Sequence, residues 1–281
     1  MKIASYQHSN CSGYGTVQGQ GIIPASQAFR QRYPSLRHVL EAEALSELAR
    51  DAQNRSAELS FNDITFLPPI PNCQRIFCAG MNYPKRYPVA GDPPPPDNVV
   101  LFAKVAGTLV GHEQALEIPL GEAANTFDYE GEIVVIIGKG GRHIRREDAH
   151  KHIAGYTAMN DGSVRAWQKH SIHAGKNFAN SGSCGPWMLT SDEVSDTQTL
   201  DLSVRLNGTT VQESSAERMF FSIAKLIAYT SHTIDLRPGD MIATGSPEGT
   251  GASQTPPRFL RSGDVIEVEV SRLGVLRNQV A

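Results

Sequence analysis

The 281-residue sequence predicts an α+β protein of mostly β character. A small N-terminal α+β domain, residues 1–68, is expected before a larger domain, residues 69–281, built as a mixed β-barrel or roll with its helices laid outside. Strand-length apolar runs dominate from residue 75 onward without regular alternation with helices, which argues against a doubly wound parallel sheet or a TIM barrel. The stretch before them carries one strong helical pattern among hairpin-like segments. Between the two lies Leu67-Pro68-Pro69-Ile70-Pro71, which continues neither a helix nor a central strand and so reads as a linker.

Taken in order, the opening residues alternate apolar and polar up to Ile22-Ile23-Pro24, with Gly13, Gly15, Gly19 and Gly21 as turn points, and predict a short hairpin or two. From Ser35, an N-cap by type, Leu36, Val39, Leu40, Ala44, Leu45 and Leu48 recur at helical spacing. Strands are expected at residues 75–79, 99–102, 133–137, 202–206, 241–243 and 265–270. A helix over residues 216–230 presents Met219, Phe220, Ile223, Leu226, Ile227 and Tyr229 as a broad apolar face. The prolines at 93–96 form a stiff polyproline-like loop, placed between the turn Gly80-Met81-Asn82-Tyr83 and a strand as a lid over a site would be. The sequence shows no internal repeat.

The formal charge of −3, spread along the chain, provides neither a basic stripe for nucleic acid nor a polybasic membrane patch. The first residues lack the apolar run of a signal peptide and no stretch approaches membrane-spanning length, so a cytoplasmic protein is expected. Cys11, Cys73, Cys78 and Cys184 fall in no paired spacing and read as reduced thiols.

Chemistry is concentrated in the middle of the chain. Glu130 and Glu132 lead into the apolar run Ile133 to Ile137, and side chains two apart on a strand share a face. Like charges near a core repel and lose hydration, and a cation between them removes both penalties. A third carboxylate, Asp161, ends the apolar segment Gly155-Tyr156-Thr157-Ala158-Met159-Asn160; taken alone it reads as a helix N-cap. Together the three make an all-oxygen site suited to Mg²⁺ or Mn²⁺, with Ca²⁺ also admissible, rather than to zinc or copper. Such a metal invites a chelating oxyacid, whose carboxylate or developing enolate the cations Arg165 and Lys176 are placed to hold.

These residues resemble the signature of the fumarylacetoacetate hydrolase family. The resemblance runs from Asp128-Tyr129-Glu130-x-Glu132, through Asn160-Asp161-x-Ser163-x-Arg165-x-Trp167-Gln168, Lys176-x-Phe178, Gly185-Pro186-Trp187 and Asn207-Gly208, to Pro238-Gly239-Asp240 and Thr244-Gly245-Ser246-Pro247, in the family's order, from about Arg75 to the C-terminus. It implies the family's mixed-β catalytic domain after a smaller N-terminal domain, a homodimer, and Glu130, Glu132 and Asp161 as Mg²⁺ or Mn²⁺ ligands. It also implies Tyr83, Arg165, Gln168, Lys176 and Thr244 as contacts to the substrate or transition state. Lys176 is then expected to serve turnover more than folding, and a neighbouring metal would depress its pKa and let it shuttle a proton.

One departure bears on the reaction. Hydrolytic members carry a His and a Glu shortly after an Asn-Tyr to activate water; here Arg86 and Val89 stand at those positions after Asn82-Tyr83. His112, oriented by Glu113, is the substitute base, while His170 and His173 are expected at the surface. The first expectation is therefore a metal-dependent hydrolase cleaving a carbon–carbon bond in a small 2,4-dioxo acid. The alternatives are an oxaloacetate-type decarboxylase or keto–enol tautomerase, which needs no activated water, and a silent relative that binds metal and acid without turnover.

Overall fold

The computed structural model of the protein describes residues 1–84 and 95–281. Arg86, Val89 and the first two prolines of the loop, Pro93 and Pro94, lie outside the described residues.

The strand Gly131–Ile137 is buried at every position, so it is covered on both faces. Its side chains alternate: Ile133, Val135 and Ile137 belong to one core with Val204, Ile266 and Leu226, while Val134 and Ile136 belong to another with Ile3, Met159 and Met188. Around it runs a twelve-stranded mixed sheet. From one edge to the other the order is Leu59–Ser60, Gly21–Pro24, Cys11–Gln18, Lys2–His8, Gly182–Thr190, Ile153–Asn160, Gly131–Ile137, Met241–Ala243, Ile76–Gly80 and Val100–Lys104, with Thr65–Leu67 and Leu109–Val110 branching off. A second, antiparallel sheet of four strands, Thr209–Ser215, Asp201–Leu206, Val265–Val270 and Gly274–Gln279, turns its alternate apolar residues onto the first core. The helix Ile223–Thr233, capped by the Ser222 hydroxyl, covers the same core from outside.

The mostly-sheet α+β character is as expected, but the barrel is not: the two ends of the large sheet are not paired with each other among the described residues. Nor does the sheet stop at the proline linker, because Lys2–His8 pairs with Gly182–Thr190 through Ile3↔Met188. The single helix expected after Ser35 is two, Leu36–Glu41 and Leu45–Ala52, separated where Glu43 takes a positive φ of 52°. No helix among the described residues is long and apolar enough to cross a membrane.

Candidate metal centre

Register brings the three carboxylates together. Gly131 pairs with Asn160 across the sheet, and beyond that pair the Asp161 amide donates to Glu130 O at 2.7 Å while the Glu130 amide donates to Asn160 Oδ1 at 3.0 Å. Glu130 and Asp161 are thus pinned side by side at the strand ends, and Glu132 reaches the same place two residues on. One oxygen from each lies within 4.8 Å of the others, and all three side chains are buried.

Cations surround them. Lys176, on the short helix Ile172–Lys176, is itself buried and places Nζ 2.7 Å from Glu130 Oε2 and 2.5 Å from Asp161 Oδ2. Arg165 sets Nη1 2.6 Å from Glu130 Oε1 and Nε 2.7 Å from Asp128 Oδ2. Lys104, at the end of Val100–Lys104, has Nζ 2.8 Å from Asp161 Oδ1, but its hydrogen bonds go to Lys176 O at 2.5 Å and Gly162 O at 3.4 Å. Glu132 has a backbone donor, the Gly245 amide at 2.8 Å.

The electrostatics follow from burial. Burial, then the charges of Asp161 and Glu130, push the Glu132 carboxyl well above the usual carboxylate range. For Lys176 burial opposes the ammonium, but Asp161 and Glu130 outweigh it and raise its pKa on balance. Held between two carboxylates, Lys176 is favoured as the ammonium.

The donor set fits a hard divalent ion. Asp161 Oδ1 accepts no aligned hydrogen bond among the described residues, although the Lys104 ammonium 2.8 Å away offsets its charge. An all-oxygen set in which burial and its neighbours destabilise Glu132 as an anion suits Mg²⁺, Mn²⁺ or Ca²⁺.

Beside the carboxylates lies a cavity of about 280 Å³, with Glu130, Glu132, Arg165, Gln168 and Lys176 on its polar side and Val100, Phe102, Met81 and Ile172 on its apolar side. Gln168 accepts from Arg165 Nη1 at 3.3 Å, and Arg165 Nη2 is buried with no partner among the described residues. Three further candidates are not in the lining of this cavity among the described residues. Thr244 spends its hydroxyl on Ile133 O at 3.0 Å, and neither it nor the buried Tyr83 lines the cavity. Burial, aided by the Glu132 charge, raises the Tyr83 phenol above its ordinary range.

His112 is also absent from the cavity lining: its ring packs edge-on against Phe66, and Nδ1 accepts the Arg277 amide at 3.1 Å. Among the described residues its contacts are with Phe66 and the Arg277 amide and not with the three carboxylates. His170 stacks edge-on with Trp167, and His173 lies beside Asn177 at the surface. Sequence reasoning assigned no role to Asp128, Lys104 or the Gly245 amide. For Lys104 there was a signal, since a lysine closing the apolar run Val99-Val100-Leu101-Phe102 needs a buried partner. The Gly245 amide had none, being backbone.

The sequence profile described as fumarylacetoacetate hydrolase C-terminal matches residues 75–281. Among known proteins, the chain is 37% identical over 291 residues to an oxaloacetate tautomerase of Xenopus laevis described as mitochondrial, covering 100% of this chain and 90% of that one. It is 35% identical to the oxaloacetate tautomerase YisK of Bacillus subtilis over 86% of this chain and 82% of the relative. The fold superposes on a fumarylacetoacetate hydrolase from Exiguobacterium antarcticum with a TM-score of 0.80 and 27% identity, covering 100% of this chain and 99% of that one.

Proposed function

The chain belongs to the fumarylacetoacetate hydrolase family, and on that premise we propose that it is a divalent-metal-dependent tautomerase of a small, oxaloacetate-like 2-oxo acid. The observation that carries the reading is Arg165, which lines the cavity together with Glu130 and Glu132 and whose buried Nη2 has no partner among the described residues. A buried guanidinium donor without a partner calls for an anion, and a carboxylate is the planar one it matches.

A Mg²⁺ or Mn²⁺ ion held by Glu130, Glu132 and Asp161 would supply Lewis acidity toward the 2-oxo acid end of the substrate. The chain's own groups do the rest. Arg165 and Gln168 hold the carboxylate, and the apolar side of the cavity limits water around the reacting carbons. Keto–enol exchange moves one proton from the carbon beside the ketone to the ketone oxygen: Lys176, which faces the cavity, gives an Nζ proton to that oxygen, and the amine so formed takes the proton released by the carbon, which restores the ammonium. This needs no activated water: of the cavity's ionisable groups among the described residues, Glu130, Arg165 and Lys176 are ion-paired, and Glu132, held by the Gly245 amide, is assigned to the metal.

Carbon–carbon bond hydrolysis of a 2,4-dioxo acid is the second reading, favoured by the likeness to the Exiguobacterium hydrolase. A panel decides between them: oxaloacetate enol–keto exchange followed by ultraviolet absorbance, pyruvate release from oxaloacetate, and acylpyruvate cleavage, each with Mg²⁺ and with Mn²⁺. Fast enol–keto exchange with slow cleavage is the expected outcome. Fast acylpyruvate cleavage with exchange at the uncatalysed rate would replace the reading by hydrolysis, dominant pyruvate release by decarboxylation, and inertness throughout by a silent binder. The proposal also carries a two-part chain divided after residue 68, a homodimer and a cytoplasmic location, supported by the sequence alone.

A further inference from the structure

Asp128 is completely buried, does not line the cavity and has no place among the metal-ligating oxygens. Its carboxylate is nonetheless fully engaged. Oδ1 accepts the amides of Tyr129 at 2.9 Å and Gly251 at 2.7 Å, while Oδ2 accepts the Ala252 amide at 3.0 Å and Arg165 Nε at 2.7 Å. With its lone pairs taken by four donors, it has nothing left for a substrate or a proton.

What those contacts achieve is seen at Arg165. A guanidinium is a planar fork, so fixing Nε on Asp128 and Nη1 on Glu130 also fixes where Nη2 points, and Nη2 is the buried donor left without a partner among the described residues. The short antiparallel pair Phe127–Asp128 with Ser163–Val164, in which Ser163 faces Asp128, brings the two residues together across thirty-seven positions of sequence. On its other side Asp128 is held by a segment that admits only glycine at its closest point: a Cβ on Gly251 would sit 2.6 Å from Asp128 Oδ1 and 2.2 Å from Arg258 O. The same stretch gives its Gly245 amide to Glu132, so residues 245–252 hold two carboxylates of the site by backbone N–H groups.

We propose that Asp128 is a positioning residue for acid binding: it orients Arg165 so that Nη2 meets the incoming carboxylate, and it ties that arginine to the glycine-containing segment 245–252. The inference rests on the reading of Arg165 as the anchor of the acid. Acting through Arg165, Asp128 matters to the anion and not to the metal, and its effect disappears when the arginine is absent.

The test is calorimetric titration of oxalate, a planar mimic of a 2-oxo acid end, into Mn²⁺-saturated protein: the parent, Asp128→Asn, Arg165→Ala, the double variant and Arg165→Lys. Each single change is expected to weaken oxalate at least about tenfold, the loss of a charge-assisted, bidentate-capable contact. In the Arg165→Ala background, Asp128→Asn is expected to cost nothing further, and Mn²⁺ affinity is expected to stay within about twofold of the parent in Asp128→Asn. Oxalate bound by Asp128→Asn as by the parent, or an equal loss in both backgrounds, overturns the inference while leaving Arg165 as the anchor. Parental oxalate affinity in Arg165→Ala overturns the anchor itself and the inference with it. Should Asp128→Asn fail to fold, Arg165→Lys decides: it keeps a charge but loses the held fork, and parental affinity there contradicts positioning.

Discussion

Lys176 is where the residue scale differs most from expectation. The sequence places it as a group for the reacting oxyanion, and it does face the cavity, but it also balances Glu130 and Asp161 from inside the protein. Removing one partner of a buried ion pair costs about 3–5 kcal/mol. Lys176→Met is therefore expected to lower the melting temperature of the metal-free protein and to regain most of the loss in saturating Mg²⁺, which takes over the compensation. Turnover should fall at least about a hundredfold, as when one charge-stabilising contact is removed. Thermal melts with and without Mg²⁺ read the first, steady-state kinetics the second, and an unchanged metal-free midpoint would contradict the ion-pair role. His112 gives a pH prediction. Burial lowers its pKa below the ordinary 6.5, with Glu113 opposing and Arg277 assisting. The unfolded chain then takes up a proton before the folded one, so stability is present above that ordinary value and lost as pH falls below it. His112→Asn, which keeps an acceptor for the Arg277 amide, should flatten the fall in melting temperature from about pH 7 to pH 5 without altering turnover.

At the scale of elements, the strand Gly131–Ile137 joins stability to the site. It was legible because five consecutive apolar residues behind a Glu-x-Glu have few other readings. The strand Gly182–Thr190, central in the large sheet, was not. It contains Gly182, Gly185 and Pro186, residues that demote a strand reading, and its ladder to Ile153–Asn160 is irregular between Tyr156 and Ala158. The break after Glu41 was equally hidden, since Leu36 to Leu48 keep helical spacing across a residue whose backbone leaves the helix. Gly131 is where strand packing meets chemistry: a Cβ there would lie 2.2 Å from Val204 Cγ2, between Glu130 and Glu132 in sequence. Gly131→Ala should cost about 1–3 kcal/mol by overpacking and also weaken divalent binding, because the displaced strand carries both glutamates. Parental metal affinity in that variant, read by calorimetry, would show that the site tolerates the shift.

For the whole molecule, the mostly-sheet α+β character followed from apolar runs too short and too irregularly spaced for a parallel α/β fold. What spacing cannot express is long-range pairing. The union of Lys2–His8 with Gly182–Thr190 depends on residues about 185 apart, and the contact of Asp161 with Lys104 joins the ends of two strands, Ile153–Asn160 and Val100–Lys104, that are not neighbours in the sheet order. The metal residues were legible because two lie on one strand and the third ends another; Asp128 was not, because its partners are amides and a side chain made neighbours by folding. A protein that gathers three buried carboxylates should be stabilised as a whole by the ion that joins them, by about 2.7 kcal/mol at a hundred times the dissociation constant. The most direct measurement is calorimetric titration of Mn²⁺ into the metal-free protein and into Glu132→Ala and Asp161→Ala. The account predicts one ion per chain in the parent and a loss of that binding in both variants; unchanged stoichiometry and affinity in either variant would contradict it.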